Sequence, residues 1–207
     1  MPLRKYREVL LPFAGKSIWQ DSSGQGVSIA AELLYREVIV TGGHGELRAL
    51  ELGCGCGIVS IMCALSRPLW KISAIEIQAH LAALAWQNAA ACKVDMEVHC
   101  GDMKELSGEY DLVFSNPPWR KVNSGQMSPD SGRNICRFEL EIDMKELLDT
   151  LRRLLAPGGQ AVILYPLKRR EELQNLVQNT PLDIIKHSIH HGNKAFFLAT
   201  IKHREYI

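Results

Sequence analysis

The chain has 207 residues and a mass of 23.2 kDa, which suits one domain with a continuous hydrophobic core. Hydrophobic residues make up 46% and charged residues 23%, a composition that argues against intrinsic disorder. The 24 Lys and Arg residues nearly balance the 23 Asp and Glu residues, and a net charge of +1 excludes a strongly basic nucleic-acid coat. No apolar run reaches the ~20 residues that span a bilayer, and the N-terminus lacks a signal-peptide pattern. We therefore predict a cytoplasmic protein.

The six cysteines do not form a recognisable metal or disulfide pattern. They lie between positions 54 and 136, and their spacing is not that of a small secreted scaffold. Cys54-Gly55-Cys56 could supply two zinc ligands, but no second close pair completes the usual set of four. We therefore predict no metal.

Patterns typical of strands and helices alternate from residue 47 onward. Short apolar or β-branched runs predict strands at 47–52, 70–77, 95–100, 110–115 and 161–166. Alanine-rich or amphipathic runs predict helices at 57–65, 79–92, 143–155 and 169–178. Strands that alternate with helices form a parallel sheet joined by right-handed crossovers. The sequence therefore predicts an α/β sandwich.

Local signals mark the ends of elements in the second half of the chain. Asp143 followed by Glu146 is a capping-box pattern that begins a helix, and Pro157-Gly158-Gly159 is expected to end it. Two further apolar runs flank His191-Gly192-Asn193-Lys194. A Gly-Asn pair between two such runs is typical of a hairpin, so we predict that the last two strands are antiparallel to each other.

A glycine-rich turn, Glu51-Leu52-Gly53-Cys54-Gly55-Cys56-Gly57, joins the first predicted strand to the first predicted helix. Glycine allows a tight turn and close approach of a ligand, and the helix N-terminus attracts an anionic group. The turn by itself could be purely structural, and Ile58 replaces the third glycine of the dinucleotide fingerprint. Glu76 and Asp102, however, end the next two strands, where they could bind a ribose diol and lie beside an adenine. Together these features predict a site for a nucleoside-bearing ligand.

Asn116-Pro117-Pro118-Trp119 follows the fourth predicted strand. The two prolines make a stiff turn with outward carbonyls. The Asn116 side-chain oxygen and the Pro117 carbonyl could both accept hydrogen bonds from one amino group, while Trp119 offers a flat face for stacking. The same residues could also simply end a strand.

With these features together, the sequence resembles the class I S-adenosylmethionine-dependent methyltransferases. The segment ELGCGCG resembles their glycine-rich first motif. Glu76 resembles the acid that binds the ribose in this family, and Asp102 in Gly101-Asp102 resembles the acid on the adenine side. Their motif [DNS]-P-P-[YFW], found in members that methylate planar amino groups, is similar to Asn-Pro-Pro-Trp. The resemblance implies a Rossmann-like three-layer sandwich with a seven-stranded, mostly parallel sheet whose last strand is antiparallel. It also implies that S-adenosylmethionine is bound by Glu51, Gly53, Gly55, Gly57, Glu76, Asp102 and Asn116.

The resemblance narrows to the bacterial tRNA(Val) adenine-N6 methyltransferases. It implies that Asn116, Pro117 and Trp119 carry out methylation of an adenine amino group in RNA, with tRNA as the substrate. Residues 1–207 would then be one methyltransferase domain, in which residues 1–46 precede the first core strand on the substrate side. In that segment Ala30 and Val27 replace the family's usual Asp and aromatic residue, so the substrate entrance is expected to be lined differently.

An RNA substrate requires cations near the cleft, because phosphate contacts dominate such interfaces. The candidates for contact with substrate or RNA are Pro118, Arg120, Lys121, Arg133, Arg137, Lys168, Arg169 and Arg170. Arg133 and Arg137 also match positions of the family's loop. Surface Lys and Arg residues more often contribute only to solubility, so each of these cations could have that role instead.

The sequence is compatible with two other functions. A glutamine side chain in a protein also presents a planar amino group, so Asn-Pro-Pro-Trp is compatible with N5-methylation of glutamine. Other nucleobases carry such a group as well, so methylation of another base is also an alternative. The resemblance favours RNA, since protein-glutamine enzymes usually carry an extra N-terminal helical domain. A catalytically silent fold that binds RNA or a partner protein is the third reading, and the intact Glu76, Asp102 and Asn116 argue against it.

Overall fold

The computed structural model describes residues 5–22, 29–119 and 142–205. The strands in these ranges are β1 (Tyr6–Leu10), β2 (Ser17–Asp21), β3 (Leu47–Leu52), β4 (Trp70–Glu76), β5 (Met96–Cys100), β6 (Tyr110–Ser115), β7 (Leu155–Pro166), β8 (Leu182–His190) and β9 (Phe196–His203). The helices are α1 (Ile29–Gly42), α2 (Ile58–Ser66), α3 (Ala79–Cys92), α4 (Met144–Leu154) and α5 (Arg170–Gln178), the last preceded by a 3-10 turn (Leu167–Arg169).

Seven strands form one sheet in the order β5-β4-β3-β6-β7-β9-β8. All neighbours from β5 to β7 are parallel, whereas β9 runs antiparallel to both β7 and β8. This arrangement confirms the mostly parallel sheet with an antiparallel last strand. The predicted hairpin is confirmed too, and the pairing of β9 with β7 places its second strand inside the sheet.

Side chains at alternate positions of the central strands fill two hydrophobic cores, one on each face of the sheet. In β3, Ala49 belongs to one core, and Leu50 and Leu52 belong to the other. Helices α1, α2 and α3 cover the first face, and α4 and α5 cover the second. These three layers confirm the Rossmann-like sandwich. They leave the carboxyl ends of the parallel strands at an edge, which is where ligands bind in such sheets.

The end of α4 differs from the prediction. Its capping box forms as expected, with Glu146 N donating to Asp143 Oδ1 at 2.8 Å and the Asp143 backbone N–H donating to Glu146 Oε2 at 2.9 Å. The helix, however, ends at Leu154, and Pro157-Gly158-Gly159 lies within β7. The reason is pairing with β6, because Leu155 already faces Tyr110 and the register then shifts before Leu112. The glycines therefore form an irregularity in a strand, not the stop of a helix.

The N-terminal hairpin β1–β2 and helix α1 were not predicted as individual elements. β1 and β2 pair antiparallel, β2 packs on α3, and Asn88 of that helix holds the hairpin there. Asn88 is fully buried, accepts from Trp19 N at 2.8 Å, and donates to Trp19 O at 2.8 Å and Cys56 O at 2.9 Å. One side chain thus joins the hairpin to the glycine-rich turn.

We expect Asn88→Ala to lower the free energy of unfolding by about 2–3 kcal/mol. The substitution removes the partner of three backbone groups, and a polar group left unpaired in the interior costs about 1–3 kcal/mol. Urea unfolding of both proteins measures the difference. Asn179→Ala is the matched control, because Asn179 is exposed and its side-chain amide donates to the backbone carbonyl of Asn175, and its effect should stay within about 0.5 kcal/mol. Equal stabilities of Asn88→Ala and the unmodified chain would contradict the prediction.

Candidate active site

Four parallel strands, β3 to β6, end together at the carboxyl edge of the sheet. Leu52 of β3 pairs with Ile75 of β4 and with Ser115 of β6, and Glu76 of β4 pairs with Cys100 of β5. The predicted site residues lie at or just beyond these strand ends: the glycine-rich turn, Glu76, Asp102 and Asn116. The structure therefore brings this turn and three polar side chains to one edge.

The glycine-rich turn has a backbone conformation that suits glycine. The φ angles of Gly53, Gly55 and Gly57 are 71°, 56° and 81°, a region that residues with a Cβ rarely adopt. An added Cβ on Gly55 would meet nothing within 4 Å, so the space beside it is open. One on Gly57 would lie 3.1 Å from the Cβ of Ala85 in α3. Gly55 leaves room for a ligand, whereas Gly57 is needed for helix packing.

Glu76 ties the glycine-rich turn to the end of β4. Its side chain is buried, and its Oε2 accepts from Gly55 N at 2.9 Å while its Oε1 accepts from Gln78 N at 3.0 Å. Burial raises the pKa of this carboxyl group, and the backbone hydrogen bonds oppose the rise. Two carboxylate oxygens offer about four acceptor positions, so capacity remains for the hydroxyls of a ribose.

Glu51 lies beneath the turn. It is 3% exposed, and its Oε2 accepts from Ser60 N at 3.0 Å and from Ser60 Oγ at 2.5 Å. Burial raises its pKa to about 8, so the group is largely protonated at neutral pH. The described contacts of Glu51 are with Ser60 in the first turn of α2. Its expected role in binding the cofactor stays a prediction.

Asp102 lies in the turn after β5 and is partly exposed. Its Oδ1 accepts from Lys104 N at 2.9 Å, and its Oδ2 lies 3.5 Å from Lys104 Nζ. Arg153 of α4 holds the same loop from the other side by donating to the carbonyls of Met103, Lys104 and Leu106. Arg153 was not among the candidates from the sequence, since an arginine in the last turn of a helix is also typical of simple dipole stabilisation.

Asn116-Pro117-Pro118-Trp119 begins where β6 ends, and two contacts set its position. Ser115 Oγ donates to Leu52 O at 2.8 Å, which joins the motif to the start of the glycine-rich turn. The Trp119 indole Nε1–H donates to Asn116 Oδ1 at 3.0 Å. The Trp119 ring also packs on Phe196, with ring centroids 5.2 Å apart and planes tilted by 60°. Pro117 is buried, whereas Pro118 is half-buried.

The three cations that follow β7 have different environments. Lys168 is exposed and stays a candidate for RNA contact. Arg169 is 6% exposed, and it donates to both carboxylate oxygens of Glu172 and to Trp119 O, so these contacts are with the protein itself. The Arg170 guanidinium lies 5.9 Å from the centre of the Phe197 ring. The remaining candidates, Arg120, Lys121, Arg133 and Arg137, lie outside the described residues, as does Val27.

The cysteines of the glycine-rich turn are buried neutral thiols. Burial raises the pKa of Cys56 to about 12 and that of Cys54 well above its ordinary value. Across residues 5–22, 29–119 and 142–205, no three His, Cys, Asp or Glu side chains gather as a group that could hold a metal ion. In the same part of the chain, no helix has the length and apolar character needed to cross a membrane.

Comparison with known sequences decides the family. Residues 22–136, which contain the glycine-rich turn, both acids and Asn116, match the sequence model of the methyltransferase small domain. The chain belongs to this family. The chain is 32% identical over 134 residues to the tRNA1(Val) (adenine(37)-N6)-methyltransferase of Tolumonas auensis, covering 63% of this chain and 56% of that protein. A Vibrio vulnificus protein of the same name is 30% identical over 166 residues, covering 78% and 67%.

The chain spans about half the length of the first of these relatives. Solved structures with low sequence identity share the fold. Trm5 of Methanocaldococcus jannaschii in complex with adenosine superposes with a TM-score of 0.69 at 15% identity, over 99% of this chain and 58% of that one. A methyltransferase from Pyrococcus furiosus gives a TM-score of 0.68 at 18% identity, over 93% and 91%.

Membership of the methyltransferase small domain family implies S-adenosylmethionine as the cofactor, and the described residues fit it. The open space beside Gly55 lies next to the carboxylate of Glu76, which retains acceptors for a ribose diol. Asp102 is 29% exposed at the end of the neighbouring strand. The N-terminus of α2 behind the turn suits the cofactor's carboxylate. The site is therefore compatible with a nucleoside that carries an amino-acid tail.

Proposed function

We propose that this protein is an S-adenosylmethionine-dependent methyltransferase that acts on the exocyclic N6 amino group of an adenine in tRNA. Such a substrate would place the enzyme in the cytoplasm. The observation that carries the proposal is the position of Asn116 and Trp119 at the end of β6. Ser115 joins this segment to the glycine-rich turn at Leu52, so an amino group held by Asn116 would lie next to the proposed cofactor site.

The proposed roles follow from the chemistry of an adenine amino group. Its lone pair is delocalised into the ring, which makes it a poor nucleophile. The Asn116 Oδ1 and the Pro117 carbonyl would accept both amino hydrogens, which favours a pyramidal nitrogen and stabilises the positive charge that develops on it. When bound, S-adenosylmethionine supplies an electrophilic methyl group. The protein's main task is therefore alignment, because no strong base is needed before the nitrogen is methylated.

The base must leave its stack to reach this site, as in other base-modifying methyltransferases. Trp119 is half-buried and would offer a ring for stacking, a contact worth about 1–3 kcal/mol per base. Lys168, Arg170 and the cations between residues 120 and 137 would contact phosphates. Support for tRNA comes from the names of the relatives, which describe methylation of adenine 37 in tRNA1(Val).

The experiment that tests the proposal offers labelled cofactor to three substrates in parallel: unmodified tRNA, total protein and DNA. We expect label in tRNA and N6-methyladenosine in its nuclease digest. Binding of tRNA should weaken steeply with salt, with a log–log slope of roughly −0.7 to −0.9 per phosphate contact. Replacing Arg133 and Arg137 together should flatten this slope by about 1 to 2 units. A labelled protein band that forms without salt dependence would support methylation of a protein glutamine. Absence of label from all three substrates would support a methyltransferase fold that binds RNA or protein without catalysis.

We expect Glu76→Ala to weaken binding of S-adenosylmethionine by about 1.5–3 kcal/mol. This is the scale of hydrogen bonds to a charged group, and the carboxylate also orients Gly55 N. Calorimetric titration of both proteins measures it. Glu97→Ala on the neighbouring strand β5 is the control, because Glu97 is exposed and its loss should leave cofactor affinity unchanged. Equal affinities of Glu76→Ala and the unmodified chain would remove Glu76 from the cofactor site.

A further inference from the structure

A buried arginine holds the end of the Asn-Pro-Pro-Trp motif. Arg169 donates from Nη1 to Trp119 O at 2.9 Å, across 50 residues of sequence. It also donates to Glu172, from Nε to Oε2 at 2.7 Å and from Nη2 to Oε1 at 3.1 Å. The guanidinium also lies 5.6 Å from the centre of the Tyr165 ring. These contacts fix the orientation of the planar guanidinium group. A lysine ammonium group cannot reproduce this arrangement of donors.

The contact at Trp119 extends to the reacting group. With its carbonyl held by Arg169, Trp119 packs its ring on Phe196 and donates its indole N–H to Asn116 Oδ1 at 3.0 Å. An indole nitrogen is a donor only, so the Asn116 amide must turn its oxygen, and not its NH2 group, toward Trp119. The same oxygen has a second lone pair for a substrate amino group. The orientation of Asn116 therefore depends on where Trp119 is held.

We propose that Arg169 is a positioning residue for methyl transfer, which acts through Trp119 on the orientation of Asn116. The inference rests on the proposed function for its kinetic consequence, but the positioning itself is a property of the folded chain. It replaces the role of phosphate contact that the sequence suggested for Arg169. Because Asn116 acts on the transition state, a small displacement should lower turnover more than it lowers affinity for cofactor.

The test compares Arg169→Lys with Arg204→Lys. Arg204 is the control, since it also pairs with a carboxylate, Asp183 Oδ1 at 3.0 Å, and a carbonyl, Leu182 O at 3.3 Å. It follows β9, at the end of that strand opposite to Phe196. The chain has 4 Trp residues, and Trp119→Phe identifies the Trp119 indole N–H signal in a nitrogen–proton NMR spectrum. In Arg169→Lys this signal should shift and exchange faster with solvent, while the other three indole signals stay in place. Arg204→Lys should change none of them.

The kinetic arm uses the same variants with tRNA. Arg169→Lys should lower kcat about tenfold or more and leave the Kd for S-adenosylmethionine within about twofold. In the Trp119→Phe background, which already lacks the indole donor, the same substitution should have a much smaller effect. Glu172→Gln weakens the ion pair but keeps Arg169, so it should lower kcat less than Arg169→Lys does. It replaces Arg169→Lys in the test if that variant does not fold.

Each outcome separates the proposal from its alternatives. An unchanged Trp119 indole signal in Arg169→Lys would overturn the positioning role. An unchanged kcat combined with a flatter salt dependence of tRNA binding would show that Arg169 is a phosphate contact after all. If the unmodified chain labels no tRNA, the proposed function fails, but the NMR comparison still decides whether Arg169 positions Trp119.

Discussion

Replacing Asn116 by alanine should lower kcat for methyl transfer about 100- to 1000-fold, the usual effect of losing one polar contact that is made in the transition state. The affinity for S-adenosylmethionine should stay nearly intact, because Glu76 and the glycine-rich turn lie on other strand ends. Single-turnover kinetics on tRNA and calorimetric titration of the cofactor measure the two quantities. Asn116→Asp keeps an oxygen that can accept from the Trp119 indole and from the substrate, so it should retain more activity than Asn116→Ala.

The kinetic pattern tells catalysis from binding. A rise in KM for tRNA with an unchanged kcat would mean that Asn116 only binds substrate, which contradicts its proposed role. Asn116→Ala also removes the hydrogen bond from Trp119 Nε1 to Asn116 Oδ1, and the effect of losing this bond must be separated from the loss of the contact with substrate. Trp119→Phe removes that contact and keeps the Asn116 oxygen. Its loss of kcat should therefore be smaller than that of Asn116→Ala.

Glu51 should make the stability of the protein fall as the pH rises through neutrality. In the folded chain its pKa is about 8, whereas an exposed glutamate has a pKa of roughly 4.5, because burial disfavours the charged form. Between these two values the folded state keeps a proton that the unfolded state has released. The free energy of unfolding therefore decreases from about pH 4.5 to about pH 8, by about 3–5 kcal/mol, and this contribution is constant above that range.

Glu51→Gln isolates this effect. Glutamine stays neutral and keeps an oxygen for the Ser60 N–H and hydroxyl, so the advantage of the variant over the unmodified chain should grow by about 3–5 kcal/mol between pH 5 and pH 9. Denaturant unfolding at pH 5, 6, 7, 8 and 9 measures it. Glu105→Gln, at an exposed position, should show no such growth. Parallel curves for Glu51→Gln and the unmodified chain would mean that Glu51 titrates as if exposed.

The sequence by itself determined the alternation of strands and helices and the groups that end the strands. These are local properties: apolar runs and alanine-rich segments predicted β3 to β6 and α2 to α4 at nearly their observed positions. The capping box at Asp143 is local as well, since both of its partners lie within four residues. Strands joined by helical crossovers are parallel, so their carboxyl ends lie at the same edge of the sheet, which is why the position of Glu76 and Asn116 at one edge could be expected in advance.

Only the tertiary structure decided what depends on contacts between distant segments. The pairing of Leu155 with Tyr110 began β7 early and overrode the helix stop expected at Pro157-Gly158-Gly159. The charge of Glu51 and the burial of Arg169 are set by neighbours that no local pattern reveals. Arg169 looks like one of three surface cations in sequence, yet it lies 50 residues from the carbonyl of Trp119 that it binds. A side chain's free energy depends on its solvent exposure and its partners, and both are defined only when the chain has folded.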